Sequence, residues 1–355
     1  MTGRRTVLLL ALLALACGRK SSSSTEPTKD AVVALNGAGA TFPFPLYSKW
    51  MAEYNRLQPN VRINYQSIGS GGGIRQIVAQ TVDFGASDAP MRPSEAEGAP
   101  GKITHVPTAI GSVVVTYNLE GSSAPLKLTP DALAAIFLGD AKKWNDPRIT
   151  EHNPGVAFPD EDIAVVYRSD GSGTTAVFTE YLAAVSPAWK EKVGAGKSVK
   201  WPVGLGAKGN EGVAGQVKTT PGTIGYIELA YATQTKLPTA AIRNKAGNFV
   251  LPSPEAATAA AEGVEMPDTL HASLVDAEGE KAYPIASYTY LLVYEDMKNP
   301  EKAQTLARFL WWAIHDGQKY AKQLDYAPLP PKVVSRIEAK LKTLTVGGKP
   351  ALGGV

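Results

Sequence analysis

Three short glycine-rich stretches limit what this chain can become. They are Gly37-Ala38-Gly39-Ala40-Thr41-Phe42, Gly69-Ser70-Gly71-Gly72-Gly73 and Asp170-Gly171-Ser172-Gly173-Thr174. An apolar pattern of helical period follows each, and the last two also follow a strand-like run. A helix that starts this way offers unpaired backbone N–H groups and the positive end of a dipole. Glycine lets a bound group come close to the backbone, and Ser or Thr adds a hydroxyl. Three such starts meeting at one point make a cradle for a small oxyanion. The pattern points to anion binding rather than to catalysis.

The sequence has 355 residues, enough for one large domain or two modest ones. With 44% apolar and 19% charged residues it has the composition of an ordinary globular protein. Its first 16 residues read as a secretory signal: Arg4 and Arg5, then the apolar run Val7 to Ala16. That run is too short to span a bilayer. Ala14-Leu15-Ala16-Cys17 resembles a bacterial lipobox, in which the cysteine becomes the lipidated first residue. Leucine is commoner where Ala14 stands. Residues 17–30 then read as a lipidated polar tether, with Ser21 to Ser24 as a flexible run. Cys17 is the single cysteine, so no intrachain disulfide can form. Without the two leading arginines the net charge is nearly neutral, which argues against nucleic-acid binding and makes any attraction for anions local.

From Asp30 onward helix and strand signals alternate, as in an α/β architecture. Tyr47 to Leu57 reads as a helix. Val61, Ile63 and Tyr65 alternate as in a strand, and Ile74, Ile77 and Val78 give the next helical stripe. Val82 to Ala86 is strand-like and delivers Asp88 into a loop before Pro90. Ser112 to Tyr117, Ile163 to Tyr167, Thr223 to Ala230 and Ser287 to Glu295 read as further strands. Thr129 with Pro130, and Asn299 with Pro300, mark helix starts.

Holding hydrogen phosphate takes many N–H and O–H donors, an arginine, and one acceptor for the ligand's own proton. Thr41, Phe42, Ser70, Ser172, Gly173 and Thr174 are the candidate donors. Arg168 ends a strand six positions before Thr174, and a guanidinium can grip two oxygens at once. Asp170 is placed to orient it. Asp88 is the candidate acceptor. A carboxylate accepts a hydrogen bond from a protonated phosphate, whereas fully ionised sulfate offers it only repulsion. Leaving such a group unpaired can discriminate by about 10⁴–10⁵-fold.

The rival readings fit less well. A nucleophile elbow needs Gly-x-Ser-x-Gly, but Ile68 precedes Ser70 by two and Asp170 precedes Ser172 by two. A serine hydrolase or phosphatase also needs a histidine, and His105, His152, His271 and His315 sit in ordinary contexts. The Gly-Lys-Ser/Thr ending of a nucleotide loop is missing. No Cys or His pair has metal-ligand spacing, and no cofactor is expected. A site for sulfate or molybdate is the remaining alternative, and Asp88 discriminates against it.

These segments resemble the substrate-binding protein of the bacterial phosphate ABC transporter, a periplasmic binding protein. The similar stretches are Gly37 to Pro43, Tyr65 to Gly73, Val82 to Pro90, Ile163 to Thr174, Trp201 to Gly204 and Asp325 to Ala327. The resemblance implies phosphate contacts at Thr41, Phe42, Ser70, Asp88, Arg168, Ser172, Gly173 and Thr174, with Asp170 pairing the arginine. Gly71 stands where some relatives carry serine. It also implies a type II two-lobed α/β fold with a hinge. Domain I would comprise residues 31–110 and 286–345, and domain II residues 111–285, with crossings near Ala109 to Gly111 and Pro284 to Ser287. Such a protein is a monomer held in the periplasm by its lipid anchor. It delivers phosphate to a permease with ATP-hydrolysing subunits and is not an enzyme.

Overall fold

Alternate residues of the first strand, β1 (Val33–Gly39), are buried until the chain turns wholly inward at Gly37. In this computed structural model residues 32–120 and 125–353 are described. The secretory signal, Cys17 and the tether lie outside them. The other main strands are β2 (Val61–Ser67), β3 (Phe84–Ser87), β4 (Ile103–Asn118), β5 (Ala164–Arg168), β6 (Leu205–Ala207), β7 (Thr223–Glu228) and β8 (Ile285–Tyr294). They lie in the order β2-β1-β3-β8-β4-β7-β5-β6. Each wing of the sheet has three strands. β2, β1 and β3 run parallel to one another, and so do β7, β5 and β6. Between the wings β8 and β4 run antiparallel to each other and to their outer neighbours.

The long strand β4 joins the wings. Residues up to Ser112 pair with β8, and residues from Val113 onward pair with β7. The sequence pattern catches only the later part of this strand, because Pro107 and Gly111 interrupt the apolar alternation. Ala327 forms an isolated bridge to Ile110 and returns the C-terminal segment to the same place.

Several helices begin at hydroxyls, amides or prolines, and others do not. α1 (Phe44–Leu57) starts three residues earlier than its apolar stripe suggests. Pro45 sits in the first turn, where its missing N–H has no partner to lose. α2 (Ser70–Val78), α3 (Gly173–Val185) and α4 (Gly209–Thr219) follow β2, β5 and β6. The run Thr223 to Ala230 is not all strand. The Glu228 side chain accepts the Ala230 N–H at 2.8 Å and starts α5 (Leu229–Thr235). α6 (Pro300–Ile314) is capped by Asn299, which accepts the Lys302 N–H.

Large aromatic residues fill the core, with Trp50, Trp144, Trp189, Tyr226 and Tyr288 fully buried. α2 lies so close to β1 that a Cβ on Gly73 would be 2.5 Å from the Gly39 α-carbon. A Cβ on Gly39 would in turn lie 2.2 Å from Ala86 O, so backbone contact requires glycine at both positions. Among the described residues no helix is long and apolar enough to cross a membrane.

Candidate functional site

In both wings the chain leaves a parallel strand at its carboxyl end and enters a helix, the place where open α/β sheets bind ligands. Thr41 follows β1, Ser70 opens α2 after β2, and Asp88 follows β3 directly. From the other wing, Arg168 ends β5 and Ser172 caps α3. The structure brings these groups together. Ser70 Oγ accepts the Gly173 N–H at 3.0 Å and lies 3.3 Å from Asp88 Oδ2. Arg168 Nη1 donates to Thr174 Oγ1 at 3.3 Å. Thr41, Ser70, Asp88, Arg168, Ser172 and Thr174 are all buried. The segment carrying Gly71 touches the opposite wing as well, its N–H donating to Gly171 O at 2.8 Å. A Cβ on Gly71 would approach the Gly171 α-carbon to 3.2 Å, so a serine there needs a small shift of the loop.

Two candidates present a single donor each: Ser172 spends its N–H on Lys197 O at 2.8 Å and keeps its hydroxyl hydrogen, whereas Phe42 offers its backbone N–H. The Ser172 hydroxyl accepts the Thr175 N–H at 3.0 Å and caps α3. The Phe42 ring fills the space beside Gly111, where a Cβ would lie 2.5 Å from it. Tyr326 donates its hydroxyl to Phe42 O, and Tyr231 donates to Thr41 O, both at 2.6 Å. These bonds hold the loop carbonyls away from the cluster, so its N–H groups are the polar atoms left to face it.

The charges are fixed from behind. Arg168 donates Nε to Asp170 Oδ1 at 2.8 Å and Nη2 to Oδ2 at 2.5 Å. Gly209 N–H adds a third bond to that carboxylate at 3.0 Å. Burial works to raise the Asp170 pKa, but the bonds from Arg168 outweigh it and hold the group below its ordinary value. Asp88 behaves in the opposite way. Burial pushes its carboxyl up to about 7, against the bonds from Thr289 and Ser70 and the charge of Arg168. A group poised near neutrality can accept a proton from a ligand or share one with it. Thr289 donates to Asp88 Oδ1 at 2.8 Å. Behind it, Thr108 Oγ1 spends its hydrogen on Thr289 O, so Tyr47 must donate to Thr108.

Several site residues escape a reading of the sequence. Thr289 and Ser287 come from β8, where they look like alternate positions of a plain buried strand. Asn210 reaches both Thr41 Oγ1, at 2.7 Å, and Thr174 Oγ1, at 3.2 Å. It opens α4 after Gly209, a fourth helix start of the same kind as the first three. The run Gly204-Leu205-Gly206 followed by Gly209-Asn210 was its signal. Lys197 Nζ donates to Pro90 O and to Glu95 Oε2, each at 2.9 Å.

His105 Nε2 accepts the Met91 N–H, and burial pushes its pKa down to about 4. His315 pairs with Glu338, remote in sequence from either serine. Among the described residues no cluster of His, Cys, Asp and Glu could hold a metal ion.

The PBP superfamily domain matches residues 21–316. The phosphate-binding protein PstS of Xylella fastidiosa is 48% identical over 319 residues, covering 89% of this chain and 86% of that protein. The Pasteurella multocida PstS is 46% identical over 87% of this chain and 90% of its own. The Methanocaldococcus jannaschii PstS is 41% identical, covering 85% and 84%. Among solved structures, a high-affinity periplasmic phosphate-binding protein bound with phosphate superposes with a TM-score of 0.71. It is 22% identical and covers 90% of this chain and 96% of its own. The phosphate-binding protein from Stenotrophomonas maltophilia gives 0.66 at 19% identity, covering 86% and 93%. These two likenesses show the fold.

Proposed function

This chain belongs to the PstS phosphate-binding proteins of the PBP superfamily, and on that premise we propose that it captures inorganic phosphate outside the cytoplasmic membrane and hands it to an ABC transporter permease. The observation that carries this reading is the meeting of Asp88 with donors from the opposite wing. With Ser70 of its own wing, its carboxyl lies beside Gly173 and the Arg168 guanidinium of the other, all out of contact with water. Arg168 supplies fixed positive charge. Thr41, Phe42, Ser70, Ser172, Gly173 and Thr174 supply N–H and O–H donors. Asp88 takes the ligand's proton. In this reading phosphate replaces the bond that Ser70 makes to Gly173. No bond to phosphorus is made or broken.

The two wings are the two lobes, and they part at the Ser112/Val113 change of partner in β4 and just before β8. The first lobe then extends past residue 345, because the short strand Lys349–Pro350 and the buried residues Ala351 and Leu352 continue it. Cys17 anchors the monomer to a membrane through lipid. Finding a Cys17→Ser chain still in the membrane fraction would refute that anchor.

The deciding experiment is calorimetric titration of one purified sample with phosphate, arsenate and sulfate. Tight binding of the first two with none of the third is expected. Preferential binding of sulfate would assign the site to a different oxyanion, and turnover of a chromogenic phosphate ester would make it an enzyme.

A further inference from the structure

Asn210 is fully buried, and its amide oxygen and its NH₂ group are both bonded. Glu228 N–H can only donate, so the atom facing it at 2.9 Å is Asn210 Oδ1. That fixes the orientation of the amide, and its NH₂ must be the group reaching Thr41 Oγ1 and Thr174 Oγ1. Each threonine oxygen has two lone pairs and one hydrogen. Thr41 Oγ1 also meets the Asn210 backbone N–H at 3.3 Å, and Thr174 Oγ1 also meets Arg168 Nη1 at 3.3 Å. Both lone pairs of both hydroxyls are therefore filled by groups that can only donate. Among the described residues neither hydroxyl donates to another protein atom.

We infer that Asn210 is a positioning residue that turns Thr41 and Thr174, one from each wing, into obligate hydrogen-bond donors toward the bound anion. The inference rests on the phosphate reading and adds a direction to it. The Thr41–Thr174 side of the site can receive only bare oxygens. The protonated oxygen of the ligand must then face the one acceptor, Asp88. Asn210 thus sets which way round hydrogen phosphate sits, without needing to touch it.

The test compares Asn210→Asp with Asn210→Ala by phosphate calorimetry, with unliganded melting curves as the check on folding. Asn210→Ala removes the constraint on the hydroxyls and should weaken binding about 3- to 10-fold. Asn210→Asp keeps the shape but puts an acceptor where the donor was, so the threonine hydrogens turn toward it and away from the ligand. It should weaken binding by more than about 100-fold near pH 8, and recover part of this near pH 6 as the new carboxyl gains a proton. A residue with a purely structural role gives the reverse order, with the isosteric Asp closer to the parent than Ala at every pH, and that result overturns the inference. Should Asn210→Asp not fold, the coupling decides: Asn210→Ala should cost less in a Thr174→Val background, and an unchanged cost overturns the inference. Failure of the parent itself to bind phosphate would sink the underlying function instead.

Discussion

A Cβ placed on Gly173 would lie 2.4 Å from Asp88 Oδ2 and 2.5 Å from Ser70 Oγ. Gly173 opens α3 in one wing of the sheet, and Asp88 and Ser70 follow strands of the other. The overlap therefore exists only when the two wings are shut on one another. A methyl group here tests closure without removing any polar group.

Gly173→Ala should melt close to the parent temperature, because a slightly opened cleft relieves the clash. Phosphate affinity should fall about 10- to 100-fold, the usual penalty of overpacking. Calorimetry measures the loss, and small-angle scattering should show a larger radius in saturating phosphate than the parent has. Parent-like affinity would mean that the closed arrangement is not the one that binds.

Asp88→Asn should weaken the preference for phosphate over sulfate, since an amide can donate to an oxygen that a carboxylate repels. The same variant tests the linkage to pH. The folded Asp88 carboxyl sits at about 7 rather than 3.8. Between those values the folded chain holds a proton that the unfolded chain has released, so stability falls as pH rises through that window. The unliganded parent should lose melting temperature between about pH 4 and about pH 7 relative to Asp88→Asn. Parallel curves for the two proteins would place Asp88 in contact with water.

What the sequence discloses about this site depends on how locally each part is specified. Gly69-Ser70-Gly71 and Ser172-Gly173-Thr174 are legible because glycine, hydroxyl and helical stripe stand side by side. Arg168 and Asp170 are legible because two residues at a strand end can meet without help from the fold. Thr289 is not, since it reaches Asp88 from 201 positions away and its neighbours Tyr288 and Tyr290 advertise only a buried strand. Glu228 is hidden because the apolar run of β7 continues into Leu229 and Ala230, and the change to helix is made by a side-chain bond rather than by the pattern. The topology of the sheet is the least legible part. That β8 inserts between β3 and β4 follows from long-range pairing, which local alternation does not encode.

Arg168→Lys should lose most of the phosphate affinity even though it keeps the charge. Two of the guanidinium nitrogens are committed to Asp170 while a third faces Thr174, a fork that one ammonium cannot reproduce. A drop of about 100-fold is expected, as for losing charge-assisted bonds in a dry site. Equal binding by Arg168→Lys in a titration would reduce the arginine to a point charge and remove the geometric role of Asp170.

Lys197 and Glu95 form a further bond between the wings, and it lies outside the donor cluster. Ser172 N–H donates to Lys197 O at 2.8 Å, which ties the lysine to the wing that carries Arg168. Its Nζ crosses to Pro90 O and Glu95 Oε2, in the wing that carries Asp88. The lysine side chain is only 8% exposed, and burial pushes its pKa down while the Glu95 carboxylate opposes that shift. Opening the cleft must break this pair, whereas the encounter with phosphate precedes its formation. Lys197→Ala should therefore raise the dissociation rate about tenfold and leave the association rate nearly unchanged. Glu95 keeps Arg92 as a partner, so the variant should still fold. Stopped-flow displacement of bound phosphate reads both rates. A change confined to association would make Lys197 a steering charge at the entrance, not a clasp.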